Sequence, residues 1–359
     1  MPVLNFNAGP ASLPPEVLKS AADALIDFEG HGLSIAEISH RSTLFLDILD
    51  EYHILVRQLL QLPDSHDIII TQGGARLLFA LIPMNLIHQP SQKIAYIDTG
   101  YWAHQAATYA RHYADVDMLA SSAKDGYRRI PDIDITTLHA YSYVGLCSNN
   151  TIYGTQYQIL PHTPCPMVVD MSSDLFSRPV DFSHIDLAFA CAQKNIGIAG
   201  MSLVIVNKDL LAKTVKHLPP VLSLAHLHRK GSNYHTPPIV PIYLSLLMLR
   251  WMQRQGGLQQ LHTQNQYKAS LLYQEIERNS LFYCPVHTPH RSVMNCCFFA
   301  HHEATAEAFR QYCKQQNIVG INGHKQAGGF RASLYNAQSL QNVLQLILHL
   351  QAFEKQQNT

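Results

Sequence analysis

The stretch FACAQKNIGIAG, Phe189 to Gly200, carries one charged residue, Lys194, in a run that is otherwise mostly small or apolar. HIDLAF precedes it and MSLVIVN follows it, and both flanks read as buried strands. An ammonium in such surroundings is costly unless it is paired or neutralised. A turn lysine between two strands could swing into water. The rest of the chain decides between that use and a chemical one.

Hydrophobic residues make up 47% of the 359, enough for a buried core and too many for a disordered chain. Lys plus Arg and Asp plus Glu are both 26, so no basic face is available for general nucleic-acid binding. Small anions remain open as ligands, because they need only local charge. The seven cysteines are odd in number and form no CxxC pair, which suits free thiols in a reducing compartment. The N-terminal MPVLNFNAGPASLPPEV lacks a basic start followed by an apolar core, and IVPIYLSLLMLRWM is too short to span a bilayer. A soluble cytoplasmic protein is expected.

Apolar strand candidates alternate with helical periodicity through the first two thirds of the chain. SLPPEVLKSAADALIDF reads as a helix capped by Ser12, with prolines in its first turn. In TLFLDILDEYHILVRQLLQL the residues Leu44, Ile48, Leu55 and Leu59 form a helical stripe. DIIIT, KIAYID, HAYSYV, MVVD, DLAFA and SLVIV read as strands; ARLLFALIPMNLI and AHQAATYARHY read as helices. This alternation predicts an α/β fold with a mainly parallel sheet covered on both faces. Beyond Gly256 the pattern becomes α+β. The expected division is an N-terminal arm over 1–15, a large domain over 16–256 and a smaller C-terminal domain over 257–359.

Neither G-x-G-x-x-G nor G-x-x-x-x-G-K-S/T occurs, so dinucleotide and P-loop readings lack their signatures. HLH at 226–228 and HTPH at 287–290 have no matching partners, and no metal is expected. In open α/β sheets ligands collect beyond the carboxyl ends of the strands. There DIIIT runs into QGGAR, whose Gly73 and Gly74 allow close backbone approach to an anion at a helix start. Trp102 follows KIAYID and could cover a flat ring. MVVD ends in Asp170, and Lys194 follows the next strand, so the two can face one crevice. That pair suits pyridoxal 5′-phosphate: the lysine forms a Schiff base, and the carboxylate keeps the pyridine nitrogen protonated. An apolar pocket should lower the lysine pKa and make its amine nucleophilic.

At this point the chain resembles the phosphoserine aminotransferases, class V enzymes of pyridoxal-phosphate fold type I. The resemblance spans nearly the whole chain, in order: FNAGPASLP, SHRS, QGGAR, DTGYWA, NNTIYG, VVDMSSDLFSRPVD, AQKNIGIAG, HTPP and GHKQAGGFRASLYNA. It implies that Lys194 carries the cofactor and shuttles a proton. Asp170 would pair with the ring nitrogen, Trp102 stack on the ring, and Thr151 bond its phenolic oxygen. Ala75, Arg76 and Gln193 would hold the cofactor phosphate, with His235 and Thr236 reaching it from the other subunit of a homodimer. Arg331 would hold the substrate α-carboxylate. Arg41, with His40, Arg76, His324 and Lys325, would surround the distal phosphate or carboxylate.

The implied reaction is amino transfer from L-glutamate to 3-phosphohydroxypyruvate, giving O-phospho-L-serine and 2-oxoglutarate in serine biosynthesis. 4-Phosphohydroxythreonine, in vitamin B6 synthesis, is a second substrate to test. A general class V aminotransferase and a cysteine desulfurase-like lyase are the alternatives; the lyase needs a reactive cysteine by the cofactor. A non-catalytic member of the fold would not need to keep both Lys194 and Asp170. Three positions depart from the family pattern: His235 stands where asparagine is usual, Lys325 where arginine is frequent, and Ala8 where some members have serine.

Overall fold

The computed structural model describes residues 3–358. β1 (Leu4–Asn5) is followed by α1 (Pro15–Ile26), α2 (Thr43–Leu60), β2 (His66–Gln72), α3 (Ala75–Leu86), β3 (Lys93–Asp98), α4 (Tyr101–Ala110) and β4 (Asp115–Ser121). Next come β5 (Tyr143–Cys147), β6 (Met167–Asp170), β7 (Leu187–Cys191), β8 (Met201–Asn207), α5 (Lys208–Ala212), α6 (Leu224–Arg229) and α7 (Ile239–Arg254). The C-terminal part holds α8 (Gly257–Arg278), β9 (Phe282–Tyr283), β10 (Asn295–Ala300), α9 (Glu303–Gln315), β11 (Ile318–Val319), β12 (Phe330–Ser333) and α10 (Leu340–Gln357).

The central sheet has seven strands in the order β2-β8-β7-β6-β5-β3-β4. The pairs from β7 through to β4 are all parallel, whereas β8 runs antiparallel to both β7 and β2. Side-chain alternation splits the core in two. Ile68, Ile97, Val144, Val169, Ala190 and Leu203 pack on one face with α1, α2 and α7. Ile69, Tyr96, Val168, Phe189 and Val204 pack on the other with α3, α4 and α6. Asp170 lies two residues after Val168, so the pleat turns it to the α3–α4 face.

A third core gathers Phe282, Phe298, Phe309, Phe330, Leu346 and Phe353 with Leu4 and Phe6. β10 is flanked by β12 and β9, both antiparallel to it, and β1 pairs in parallel with β11. Chain ends more than 300 residues apart in sequence therefore share a ladder. α8 contributes Leu258 and Leu261 to the first core and Leu272 and Ile276 to the third.

Two local expectations are corrected. Ser12 does not cap α1: the N-cap is Pro14, without a side-chain bond, and Ser12 Oγ donates to the Asn5 carbonyl instead. The prolines already fix the entry geometry, so a hydroxyl cap is unnecessary. On α2, Leu44 and Leu59 lie at the edge of the buried stripe, whose centre runs through Phe45, Ile48, Tyr52, Leu55 and Val56.

Candidate active site

Three strand ends and one helix start converge. β5 ends at Cys147, opposite Asp170 at the end of β6, and β7 ends three residues before Lys194. α3 begins at Ala75 with Gly74 as N-cap and no side-chain cap, so its first-turn N–H groups can serve an anion. The turn into α3 needs Gly73, whose φ is +91°. Its N–H donates to the Gly200 carbonyl at 3.0 Å, and its carbonyl accepts from Ser202 Oγ at 2.9 Å. The phosphate-type cradle is thereby tied to the loop that carries Lys194.

These elements enclose a cavity of about 310 Å³ lined by Gly74, Ala75, Arg76, Trp102, Asp170, Gln193 and Lys194. Asp170 is buried, and its Oδ1 accepts from the Ser172 N–H at 2.9 Å. Burial pushes its carboxyl up, while Lys194 and Ser172 pull it back down. Around Lys194, burial opposes the ammonium. Tyr335, Cys191, Asp170 and Cys147 outweigh it and hold the amine above the ordinary lysine value. The direction is therefore the opposite of the expected lowering of the Lys194 pKa.

The set fits pyridoxal phosphate. An acid for a ring nitrogen, a primary amine, an indole beside the cavity and a helix start for a phosphate line one space. Thr151 does not line that space but is buried beside it, and its Oγ1 accepts from Trp102 Nε1 at 3.1 Å. Its carbonyl accepts from an Arg331 guanidinium NH at 2.9 Å, while Arg331 Nε is buried without a partner. The Arg76 guanidinium lies 5.9 Å from the Trp102 ring centroid and bonds weakly with Tyr101 Oη at 3.5 Å. The His324 ring lies 5.8 Å from that of Tyr101. Burial lowers the His324 pKa, and the charges of Arg331 and Lys325 lower it further. Arg76 thus lies by Trp102, Arg331 by Thr151 and near His324, and Lys325 is exposed next to His324.

The remaining candidates lie elsewhere. Arg41 is exposed, and the His40 carbonyl accepts from Asn233 Nδ2 at 2.8 Å. His235 Nδ1 is buried without a partner, and the Thr236 carbonyl accepts from Gln72 Nε2 at the end of β2. None of the four lines the cavity of its own chain.

Sequence reasoning missed several neighbours. Asn149 and Ser173 line the cavity, and Asn149 Nδ2 bonds both Ser173 Oγ and Asn295 Oδ1 at 2.8 Å. Polar residues at strand ends were the available signal, as in SSD after Asp170. Cys147 and Cys191 also line it, but both are buried, and burial pushes the Cys147 thiol well up, away from thiolate chemistry. No group of metal-ligating side chains occurs among the described residues, and no helix there is long and apolar enough to cross a membrane.

Comparison with known proteins agrees with this geometry. The family model described as Aminotransferase class-V matches residues 3–346. The phosphoserine aminotransferase of Bacteroides thetaiotaomicron is 42% identical over 353 residues, 98% of each chain. A solved phosphoserine aminotransferase from Bacillus circulans subsp. alkalophilus has a TM-score of 0.96 at 36% identity, covering 99% of both chains. The pyridoxal-phosphate-bound enzyme from Trichomonas vaginalis has a TM-score of 0.92 at 32% identity, covering 98% of this chain and 100% of that one. The chain belongs to the class-V aminotransferases and, within them, to the phosphoserine aminotransferase family.

Proposed function

We propose that this chain is a pyridoxal-phosphate-dependent transaminase that moves an amino group from L-glutamate to 3-phosphohydroxypyruvate, reversibly. The observation that carries the reading is the meeting of Lys194, Asp170 and the α3 N-terminus in one cavity, with Arg331 Nε buried and unpartnered nearby. When bound, pyridoxal phosphate supplies the electron sink that allows an amino acid Cα–H bond to break.

The chain's own groups do the rest. Asp170 holds a proton at the ring nitrogen. Lys194 attaches the cofactor and moves the proton at the substrate Cα. Thr151 donates to the phenolic oxygen, and Trp102 covers the ring. Ala75, Arg76 and Gln193 orient the cofactor phosphate. Arg331 grips the α-carboxylate that every substrate shares, through the fork geometry a guanidinium allows. Arg76, His324 and Lys325 face the far end, which is a carboxylate in glutamate and a phosphate in phosphoserine.

His40 and Arg41 belong to the same surface as Asn233–Thr236 through the Asn233–His40 bond. In a homodimer that surface would carry all four residues toward the partner's cavity, His235 and Thr236 at the cofactor phosphate and His40 and Arg41 at the distal anion. The large domain would span 16–256 and the small domain 257–359, with the 1–15 arm joined to the latter through β1 and β11.

The test is single-turnover absorbance of the cofactor-loaded protein mixed with phosphoserine, serine or glutamate. Phosphoserine should react far faster than serine at the same subsaturating concentration. Equal rates would remove the phosphate pocket and leave a general class V aminotransferase. 4-Phosphohydroxythreonine belongs in the same panel.

A further inference from the structure

We infer that Tyr335 is a positioning residue for Lys194: its hydroxyl grips the Ala8 carbonyl, which holds the arm at Gly9 against the lysine side chain and fixes where the amine points. Tyr335 is buried, and its Oη donates to the Ala8 carbonyl at 2.8 Å and accepts from Asn295 Nδ2 at 3.4 Å. The next residue of the arm lies flat on the lysine: a Cβ built on Gly9 would sit 3.6 Å from Lys194 Cγ and 3.9 Å from Lys194 Cε. Gly9 holds φ at +151°, a conformation side chains disfavour, so the backbone there calls for glycine. The arm is pinned again two residues on, where the Ala11 N–H donates to the Gln193 carbonyl at 2.9 Å.

The turn that bears Tyr335 is itself anchored. Its carbonyl accepts from Lys268 Nζ at 3.2 Å, alongside the carbonyls of Leu334 at 3.3 Å and Gln338 at 2.8 Å. The Asn336 N–H donates to Asn195 Oδ1 at 3.0 Å, so the turn holds Lys194 from the following residue as well. This turn continues directly from β12, which carries Arg331. The groups that face Lys194 are Asp170 from β6, Cys147 from β5, Cys191 from β7 and Tyr335 from this turn. Arg331 and Asn295 face Tyr335. Burial pushes the phenol up, so at neutral pH it is the protonated donor this grip requires.

Tyr335→Phe in the cofactor-loaded enzyme keeps the ring and removes the hydroxyl, with both its grip on Ala8 and its bond from Asn295. The kcat should fall roughly 10- to 100-fold, the scale of a small misplacement of a reacting group, with KM for the amino donor nearly unchanged. The pH midpoint of the cofactor's visible absorbance should move, which a purely structural role would not do. Gly9→Ala, which strains the arm backbone where it touches Lys194 and leaves Tyr335 intact, should move the same midpoint. If Tyr335→Phe lowers only the melting temperature, with kcat and midpoint unmoved, the inference is wrong. If Tyr335→Phe does not fold, an unmoved midpoint in Gly9→Ala overturns it instead. The inference rests on Lys194 as the cofactor carrier. Borohydride reduction and peptide mapping of the unaltered enzyme test that separately, since a label on another lysine removes the underlying reading rather than this one.

Discussion

Trp102 Nε1 donates to Thr151 Oγ1 at 3.1 Å, so the indole and the hydroxyl are locked to each other. Because the Thr151 oxygen is the acceptor there, its own proton remains to be donated elsewhere, and in the proposed reading the cofactor's phenolic oxygen would receive it. Thr151→Val should therefore weaken cofactor retention by about 0.5–1.5 kcal/mol, the worth of one net hydrogen bond, or roughly two- to tenfold in Kd. Thr151→Ser should restore most of it. Equilibrium titration of cofactor into the stripped protein measures both, and a Thr151→Val protein with unaltered affinity would contradict the assignment.

Arg331 spends one guanidinium NH on the Thr151 carbonyl and keeps Nε buried and unpartnered. An unpaired buried donor is costly, and a carboxylate arriving in the fork relieves it. Arg331→Lys retains the charge but loses the planar fork. It should raise KM for glutamate and phosphoserine together, at a cost of roughly 2–5 kcal/mol in kcat/KM. Steady-state kinetics with both donors decide this. A change confined to phosphoserine would move Arg331 from the common carboxylate to the distal anion.

His235 Nδ1 is buried and unpartnered, away from the cavity of its own chain. If two subunits share sites, His235→Ala should weaken cofactor binding roughly tenfold or more, since a hydrogen bond to a charged group is worth about 1.5–3 kcal/mol. The sharper check mixes Lys194→Ala with His235→Ala subunits under exchange. One site of each mixed dimer then has an intact lysine and an intact partner histidine, so tight cofactor retention should return. Mixing that restores nothing, or a fully active monomer in sedimentation, would mean each chain builds its own site.

The sheet and the meeting of Asp170 with Lys194 in one cavity were legible because burial makes strands conspicuous: MVVD and LAFAC are buried throughout, and a charge at or beyond their ends stands out. β4 was not, because DVDMLAS is a half-exposed edge strand whose polar residues hide it. The direction of β8 was also hidden, since SLVIV reads the same for either orientation and only the short return from Lys194 reveals the reversal. Tyr335, distant in sequence, lies beside Lys194, and no local pattern announces that contact. Long-range hydrogen bonds such as Tyr335 to Ala8 follow from topology, not from periodicity.

Lys268 is a buried ammonium held by three backbone carbonyls, and burial lowers its pKa from the ordinary 10.5 to about 7. Lys268→Met keeps an unbranched chain one atom shorter and removes the amine, so comparing the two proteins isolates this titration from all others. In the unfolded chain the lysine keeps its proton up to about 10.4. In the folded chain it releases it above about 7. Between those values the unfolded state binds more protons, so stability rises with pH. The unaltered protein should therefore gain on Lys268→Met as pH increases from about 7 to 10, and the difference should be flat below that window. The gain is at most about 5 kcal/mol, since one pKa unit is worth about 1.4 kcal/mol, and less to the extent that the carbonyls favour the ammonium. Urea unfolding of both proteins at saturating cofactor, in steps of pH, gives the difference directly. A difference that stays constant across the window, or falls as pH rises, would mean that Lys268 remains a fully charged clamp on the turn that carries Tyr335.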